Sequence, residues 1–444
     1  MSDLLSIGAS GTRAYQAAMG AIADNISNAE TPGYSRRTVA LGESAASSAP
    51  LIFYRSNSSF HGVETKSVVR ASDTYLDAAA RQTANGLGMA EQHTRWMNDI
   101  QTALNDTSLG VGQRMSGMFA AVERLASNPT DTTLRADVLF AFEQVNTGFE
   151  QSRGDLVAIR TAIGSGVKND VVALNDAMQQ LADANDGLRR VAEGTAAHAS
   201  LLDSRDLALH EVVSRLDVTV TFGANGAASV EYGGETLVEH NSAKTITVTQ
   251  AADGILTFGV AGGSALTTPQ GGSLGGFAAS AVVVKERIDA LDTLATRYVT
   301  EINDWHTQGF STPGVAGTPM LTMGANAGEI SVAVTNPALV AGYSSTGVLN
   351  GNFLKISDLR GNDSMENDWT GVIAEHGSVT NAAKLQLTAA NNRDLMAQQA
   401  RAEVVGVNLD REAADLMRLQ QAYQASARVI QVSREIMDSI FAIF

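Results

Sequence analysis

The 444-residue sequence predicts a mainly α-helical protein with a β insert, which is an α+β fold class. Apolar residues recur at helical spacing at both ends of the chain, and long helical patterns fill most of the interior. The period changes to two over residues 216–268. Because β structure lies between helical segments, we expect the first and last segments to meet in space. The length also predicts two or more domains.

The first predicted element is an amphipathic helix over about residues 3–28. Its apolar or small residues recur every three or four positions, at Leu4, Gly8, Gly11, Tyr15, Ala18, Ile22 and Ala29. Asn28 tolerates the left-handed conformation that ends many helices. Pro32 and Gly33 then predict a sharp turn, and Tyr34 supplies an amphipathic anchor after it.

Long helices joined by short polar loops are predicted for the next part of the chain. A polar, Ser-rich stretch over 42–59 precedes a strand near 62–69, and one helix should cover residues 71–105. After a polar break, a second helix should run through Leu125. A third, capped near Asp131, should continue with interruptions to about residue 197. This pattern indicates a rod-like α domain.

Alternating valine and threonine residues predict the β insert. Its clearest feature is a hairpin over residues 245–260, with Asp253-Gly254 at the turn. The glycine-rich stretch 271–276 should close the insert as a flexible junction. Downstream we expect a helix over 277–306, a loop-and-strand excursion over 309–362 with a strand at 330–334, and a helix over about 367–405.

The last segment, residues 408–444, contains neither glycine nor proline and predicts one helix with a heptad seam. The seam residues are Leu416, Leu419, Tyr423, Ile430, Met437, Ile440 and Phe444, with Ser426 and Ser433 at weaker equivalents. Charged residues, Glu412 among them, are assigned to the opposite face. Such a helix needs a partner, and the N-terminal helix is the natural candidate. The alternative is a terminal helix that docks on its own globular body.

Composition excludes several classes of function. With 31 Lys and Arg against 47 Asp and Glu, the net charge of −16 disfavours nucleic acids and anionic lipid surfaces. We expect no transmembrane helix and no secretory signal peptide. The absence of cysteine excludes disulfides and thiolate chemistry. A cysteine-free chain suits a cytosolic protein or one exported unfolded through a narrow channel, and composition does not separate the two.

The search for catalytic chemistry gives one weak match. Residues 271–275 fit the G-x-S-x-G pattern around Ser273, but the Pro-containing polar run before it is a poor central strand. The downstream His306 and His376 have no distinguishing context. No histidine pair has zinc spacing, and no glycine-rich phosphate loop follows a strand. We therefore expect no enzyme, no cofactor and no metal. A secreted cell-wall hydrolase is the alternative that Ser273→Ala would test.

Five sequence blocks carry a resemblance to a known family. The string Asn25–Arg36 resembles the N-terminal signature of the flagellar axial proteins, which include rod, hook and hook-associated proteins. The element Leu201-Leu202-Asp203-Ser204-Arg205-Asp206, the block 272–276, and the blocks 406–410 and 419–423 resemble landmarks of the first hook-associated proteins, the FlgK family. A hook or distal rod protein is the alternative, although it would lack the 201–206 landmark.

The resemblance implies a structural protein of the hook–filament junction, outside the cell. Such a protein would be exported without a cleavable signal peptide, through the flagellar type III apparatus, and would form a ring or helical assembly with itself. Its neighbours would be the hook protein below and the second junction protein above, and an export chaperone would hold the C-terminal helix. Asp24, where an Asn is common, and the apolar C-terminus depart from the pattern.

The resemblance and the two terminal patterns together predict the interface residues and the domains. Residues at the subunit or axial interface would be Leu4, Tyr15, Ile22, Asn25, Ile26, Asn28, Pro32, Gly33, Tyr34, Leu416, Leu419, Tyr423, Ile430, Met437, Ile440 and Phe444. We expect a terminal coiled-coil domain (1–50 with 405–444), a long-helix domain (51–215 with 275–404) and a β-rich outer domain (216–274). The short middle suggests that an outer domain of longer relatives is reduced or missing.

Overall fold

The computed structural model describes residues 2–44, 62–104, 109–312 and 314–442, with the side chains of Ser2, Asp3 and Phe441 left out. The predicted break after residue 104 and most of the Ser-rich stretch lie outside these residues, as does Phe444. The described part of the chain is mainly helical with small antiparallel sheets, which confirms the predicted fold class.

The helices follow the sequence periodicity closely. In chain order they are α1 (Ser2–Ser27), α2 (Thr74–Ala103), α3 (Val111–Ser127), α4 (Thr132–Arg190), α5 (Ala196–Arg215), α6 (Gly272–Thr307), α7 (Gly351–Leu354), α8 (Met365–Val405) and α9 (Leu409–Phe441). Asp131 caps α4, as predicted, because its Oδ1 accepts from the backbone N–H groups of Thr133 and Leu134. Among the described residues, no helix is both long enough and apolar enough to cross a membrane.

The strands form several separate small sheets. They are β1 (Arg37–Glu43), β2 (Val63–Arg70), β3 (Thr219–Phe222), β4 (Ala228–Tyr232), β5 (Glu235–Glu239), β6 (Ser242–Ala243), β7 (Ile246–Gln250), β8 (Leu256–Val260), β9 (Ala265–Leu266), β10 (Phe310–Thr312), β11 (Val315–Ala316), β12 (Leu321–Met323) and β13 (Ile330–Val332). Their orders are β1-β2, β3-β4-β5-β6, β7-β8-β9, β10-β11 and β12-β13. The predicted insert therefore contains two sheets.

The chain divides into two compact units. The first comprises Met1–Gly86, Val172–Ile246 and Asn391–Phe444, and the second comprises Leu87–Val171 and Thr247–Ala390. In the first unit, Ala228, Val230 and Tyr232 of β4 are buried, and Asn185 of α4 holds the strand through two hydrogen bonds to the backbone of Ala228, both 2.8 Å long. The predicted division into three domains stays a proposal.

The second unit has an aromatic core. Phe149 and Tyr298 bring their ring centroids within 5.5 Å, and Trp96 and Phe277 lie 6.0 Å apart. Trp369 is 1% exposed in the same unit. Burial of such large rings is the main favourable contribution to the stability of a helical unit.

The prediction of a flexible junction at residues 271–276 was wrong. These residues begin α6 and are buried, and a Cβ atom added to Gly276 would lie 2.6 Å from the backbone oxygen of Met89. Glycine is required there because the α6 and α2 backbones approach too closely for any side chain. A flexible loop and a closely packed helix can both be rich in glycine, so composition alone does not distinguish them.

Candidate subunit interface

Helices α1 and α9, the two ends of the described chain, pack against each other through small residues. A Cβ atom on Gly8 would lie 2.6 Å from Cγ1 of Ile430, and one on Gly11 would lie 2.6 Å from Oγ of Ser426. The two glycines therefore let the α9 side chains approach the α1 backbone. The seam position Ile430 and its weaker equivalent Ser426 both face α1, as the heptad pattern indicates.

Asn25, the first residue of the signature string, joins three parts of the first unit. Its Nδ2 donates to the backbone oxygen of Arg37 at 2.8 Å and to Oε2 of Glu412 at 2.9 Å. Its Oδ1 accepts from the hydroxyl of Tyr34 and the backbone N–H of Arg37, each at 2.9 Å. Asn25 is fully buried, and these bonds use both of its donors and both acceptor positions. No other side chain of this size offers two donors and two acceptor positions.

Glu412 lies in the first turns of α9 and is fully buried. Its Oε1 accepts from Nε of Arg36 at 2.6 Å, while its other oxygen accepts from Asn25. The backbone N–H of Arg36 also donates to the oxygen of Val405 at 2.8 Å. The assignment of Glu412 to the face opposite the seam was therefore wrong, and its buried carboxylate is stable there because it accepts hydrogen bonds from two side chains.

A second ionic cluster attaches the β1-β2 hairpin to the Leu201–Asp206 element. Asp203 accepts from Arg37 at 2.7 Å and from Arg70 at 2.6 Å, and Arg70 also bonds Asp206 at 2.7 Å. Burial disfavours the charge of Arg70, but Asp206 and Asp203 outweigh it and raise the pKa of this guanidinium. Asp203 and Asp206 of the sequence landmark thus have a structural role, because they accept hydrogen bonds from two arginines of the hairpin.

The turn after α1 has the conformation that its sequence predicts. Gly33 has a φ of 79°, a left-handed conformation that glycine adopts without strain. Tyr34 is half-buried, its ring lies under the guanidinium of Arg37 at 4.8 Å, and burial raises the pKa of its hydroxyl. The side chain of Asn28 donates to the backbone oxygen of Asp24 at 2.9 Å and so closes the helix end. Pro32 is exposed.

The predicted interface residues fall into two groups by exposure. Those buried or half-buried in the first unit are Tyr15, Ile22, Asn25, Asn28, Gly33, Tyr34, Leu416, Leu419, Ile430 and Met437. Those that remain exposed are Leu4, Ile26, Pro32, Tyr423 and Ile440. The structure thus brings the two terminal patterns together within one chain, and contacts to other subunits stay a prediction.

A second apolar face of α9 escaped the heptad analysis. Val429, Val432 and Ile436 are 40%, 51% and 39% exposed, and their three- and four-residue spacing aligns them along one side of the helix. Met417, which is 60% exposed, is a further apolar side chain of the same helix. Recurrence at helical spacing off the main seam is the sequence signal that would have identified this face.

The groups nominated for hydrolase chemistry have structural partners. Ser273 lies in the first turn of α6, and its hydroxyl donates to the carboxylate of Asp170. His306 bonds the oxygen of Thr318 through Nδ1, and His376 bonds the oxygen of Met97 through Nε2. Within the described ranges, no group of three acidic or histidine side chains could hold a metal ion.

Comparison with known proteins identifies the family. Residues 97–321 match the family described as "Flagellar hook-associated protein FlgK helical domain". The chain belongs to the FlgK family. Residues 5–34 also match the flagella basal body rod protein family, and residues 398–443 match the flagellar basal body rod FlgEFG protein C-terminal family. These two terminal matches contain α1 with its turn, and α9.

Curated relatives of the chain are FlgK-family proteins as well. "Flagellar hook-associated protein 1" of Bacillus subtilis is 24% identical over 96% of this chain and 95% of its own length. The protein of the same name from Salmonella typhimurium is 27% identical over 73% of this chain, which spans 60% of that longer protein. The flagellar hook junction protein FlgK from Burkholderia pseudomallei has the same fold, with a TM-score of 0.65, 14% identity, and coverage of 75% of this chain and all of that one.

Proposed function

We propose that this FlgK-family chain is a structural subunit of the bacterial flagellum at the hook–filament junction. The proposal rests mainly on the match of residues 97–321 to the FlgK helical domain. The names of the relatives, which refer to the hook and to its junction, support it. The terminal matches to rod families fit a shared axial segment, whereas the FlgK match separates this chain from a hook or distal rod protein.

The paired helices α1 and α9 form the axial core of the subunit. Asn25 and Glu412 join the two ends, so that both helices are presented to the assembly as one element. The exposed residues Leu4, Ile26 and the second apolar face of α9 then pack against neighbouring copies. Each such side chain contributes roughly 1.5–3 kcal/mol when it is fully buried.

Most of α9 is exposed in the single chain, with only Glu412 and Ser433 buried among its described side chains. Ordering a residue costs about 1–2 kcal/mol of backbone entropy, which an isolated helix pair barely offsets. The termini therefore order fully on assembly, when copies of the chain cover the remaining apolar surface. This arrangement suits a protein that leaves the cell unfolded through the type III apparatus while a chaperone holds its C-terminal helix.

The assembled chain forms a ring or short helical array outside the cell, with the hook protein below and the second junction protein above. The interface comprises the predicted residues of α1, its turn and the α9 seam, with Phe444 lying outside the described residues. The long helices form the next layer, and the β strands of 216–274 face outward. No step of this function needs a cofactor.

Charge introduced into the α9 seam tests the proposal. Ile430→Asp and Leu416→Asp should leave hooks without filaments and non-motile cells, because a carboxylate cannot pack in the seam. The matched control is Gln420→Asp, an exposed position of the same helix that should preserve motility. Electron microscopy of hook–basal bodies and swimming assays measure the outcome, and circular dichroism checks that the remaining helices stay folded. Filaments of normal number with Ile430→Asp would contradict the proposal.

A further inference from the structure

A charged cavity of about 420 Å³ opens on the first unit beside the Pro32-Gly33 turn. Its walls come from that turn and from α2, α5 and α8. The turn continues directly into the residues around Asn25 that join the chain ends. The cavity therefore borders the proposed axial interface, and charged side chains form part of its wall.

Every carboxylate in the cavity wall already has a partner. Asp77 accepts from Arg401 at 2.6 Å, Asp206 from Arg70 at 2.7 Å, and Asp394 from the hydroxyl of Thr83 at 2.8 Å. These bonds satisfy the acidic groups within the chain. The cavity consequently has no acidic group waiting for a cation.

Arg81 is different. Within the described residues its guanidinium makes no hydrogen bond and no ion pair, and it lies 5.5 Å from the ring of Phe222. Burial lowers the pKa of Arg81, and the attraction of Asp206 and Asp77 does not compensate. A guanidinium offers five donors in a planar fork that matches a carboxylate. Arg81 is thus a half-buried cation whose cost of burial an incoming carboxylate would offset.

We propose that Arg81 receives the carboxylate of an Asp or Glu side chain from a second copy of this chain. The inference rests on the proposed function, since it requires copies held in contact. Charge complementarity identifies the partner, because each copy carries 47 acidic residues against 31 basic ones. Copies with a net charge of −16 repel one another, and an unpaired cation beside the axial interface relieves that repulsion where the copies touch.

Removal of the guanidinium provides the first test. Arg81→Gln should reduce the fraction of hooks that carry the chain by roughly tenfold or more, because a desolvated charge pair is lost at each contact. Arg190→Gln is the matched control, since Arg190 is 72% exposed in the same unit and already pairs with Asp186. Thermal unfolding of the purified Arg81→Gln monomer should match the original chain. Arg81→Lys provides a folded alternative that keeps the charge but loses the fork, and it should be intermediate.

Site-specific cross-linking identifies the occupant. The chain contains no cysteine, so Leu207→Cys, in the cavity wall and 43% exposed, places the only thiol for a maleimide–benzophenone probe. In junctions assembled from probed copies and isotope-labelled copies, mass spectrometry should find the probe joined to a labelled peptide that contains Asp or Glu. Cross-links to another flagellar protein, or to the same chain alone, would overturn the inference.

The two proposals fail in distinguishable ways. Absence of the unaltered chain from hook tips would refute the junction function itself. Presence of the unaltered chain with equal presence of Arg81→Gln would refute only the role of Arg81.

Discussion

The amide of Asn25 donates to the buried carboxylate of Glu412 at 2.9 Å, across a separation of 387 residues. Arg36 completes the site from the turn after α1. These side chains connect the beginning and the end of the chain through a few specific hydrogen bonds, in a region where α1 and α9 otherwise contact through small residues. The pair therefore determines which ends of the two helices lie together.

Neutralising Glu412 tests this relationship. Glu412→Gln should destabilise the α1–α9 pair by about 3 kcal/mol, because Arg36 loses its buried ionic partner and keeps only the longer contact to Asp415. Hydrogen exchange of the α1 and α9 backbone amides measures the change. Glu403→Gln is the control, since Glu403 is exposed near the end of α8 and should leave exchange unaltered. Equal protection in both variants would show that the buried carboxylate does not hold the chain ends together.

Two glycines of α1 should respond to the same substitution in opposite directions. Gly8→Ala should destabilise the helix pair by about 1–3 kcal/mol, because the new methyl group would meet Ile430. Gly20→Ala, where a Cβ atom has nothing within 4 Å, should stabilise α1 by about 1 kcal/mol through helix propensity. Exchange protection of α1 in the purified chain distinguishes them. A stabilising Gly8→Ala would mean that α1 and α9 are not closely packed.

The Asp203 cluster should matter more than an exposed cluster of the same composition. Asp203→Ala leaves Arg37 and Arg70 without their shared partner, which should cost about 3 kcal/mol in unfolding of the first unit. Asp186→Ala also removes an acid that binds two arginines, but both arginines are exposed and the unfolding midpoint should barely move. Urea titration followed by circular dichroism compares the variants. Similar midpoints would contradict a structural role for the 201–206 element.

Much of the architecture could be predicted from periodicity alone. Helix α1 ends at Ser27 and α9 begins at Leu409, each within about one residue of the sequence expectation, because apolar spacing and end signals agree there. The strands β7 and β8 lie where the Asp253-Gly254 turn indicates. Helix ends and hairpin turns depend on neighbouring residues, so one sequence is enough to predict them.

The polar contacts of the site could not be predicted in the same way. Glu412 lies seven residues before Leu419 and so on the weaker row of the seam, but a carboxylate favours solvent, and only Asn25 and Arg36 from the other end of the chain make its burial tolerable. Asp203 and Arg70 pair over 133 residues for the same reason. Side-chain pairing at such separations depends on the assembled fold, and periodicity carries no information about it.

Acid should destabilise the second unit through its buried histidines. Burial lowers the pKa of His93, His306 and His376 below the ordinary value of 6.5, so the folded unit binds fewer protons than the unfolded chain. Their contribution to stability is fully present above 6.5 and falls as the pH drops from there towards the lowered values.

Thermal unfolding at about pH 7.5 and about pH 5 measures this effect. The unaltered chain should lose stability on acidification, and His376→Gln, which keeps a donor for the oxygen of Met97, should lose less. His240→Gln, at a position 67% exposed, should behave like the unaltered chain. An unfolding temperature that is independent of pH would show that these histidines are not held neutral by the fold.

Electron cryomicroscopy of hook–filament junctions that contain this chain would show the pairing of α1 and α9 in the assembly itself. We expect density for α1 and α9 as a closely packed pair around the central channel at the distal end of the hook, with Asn25 beside Glu412 in every copy. Density for the chain elsewhere in the flagellum, or a junction in which α1 and α9 of one copy are separated, would contradict it.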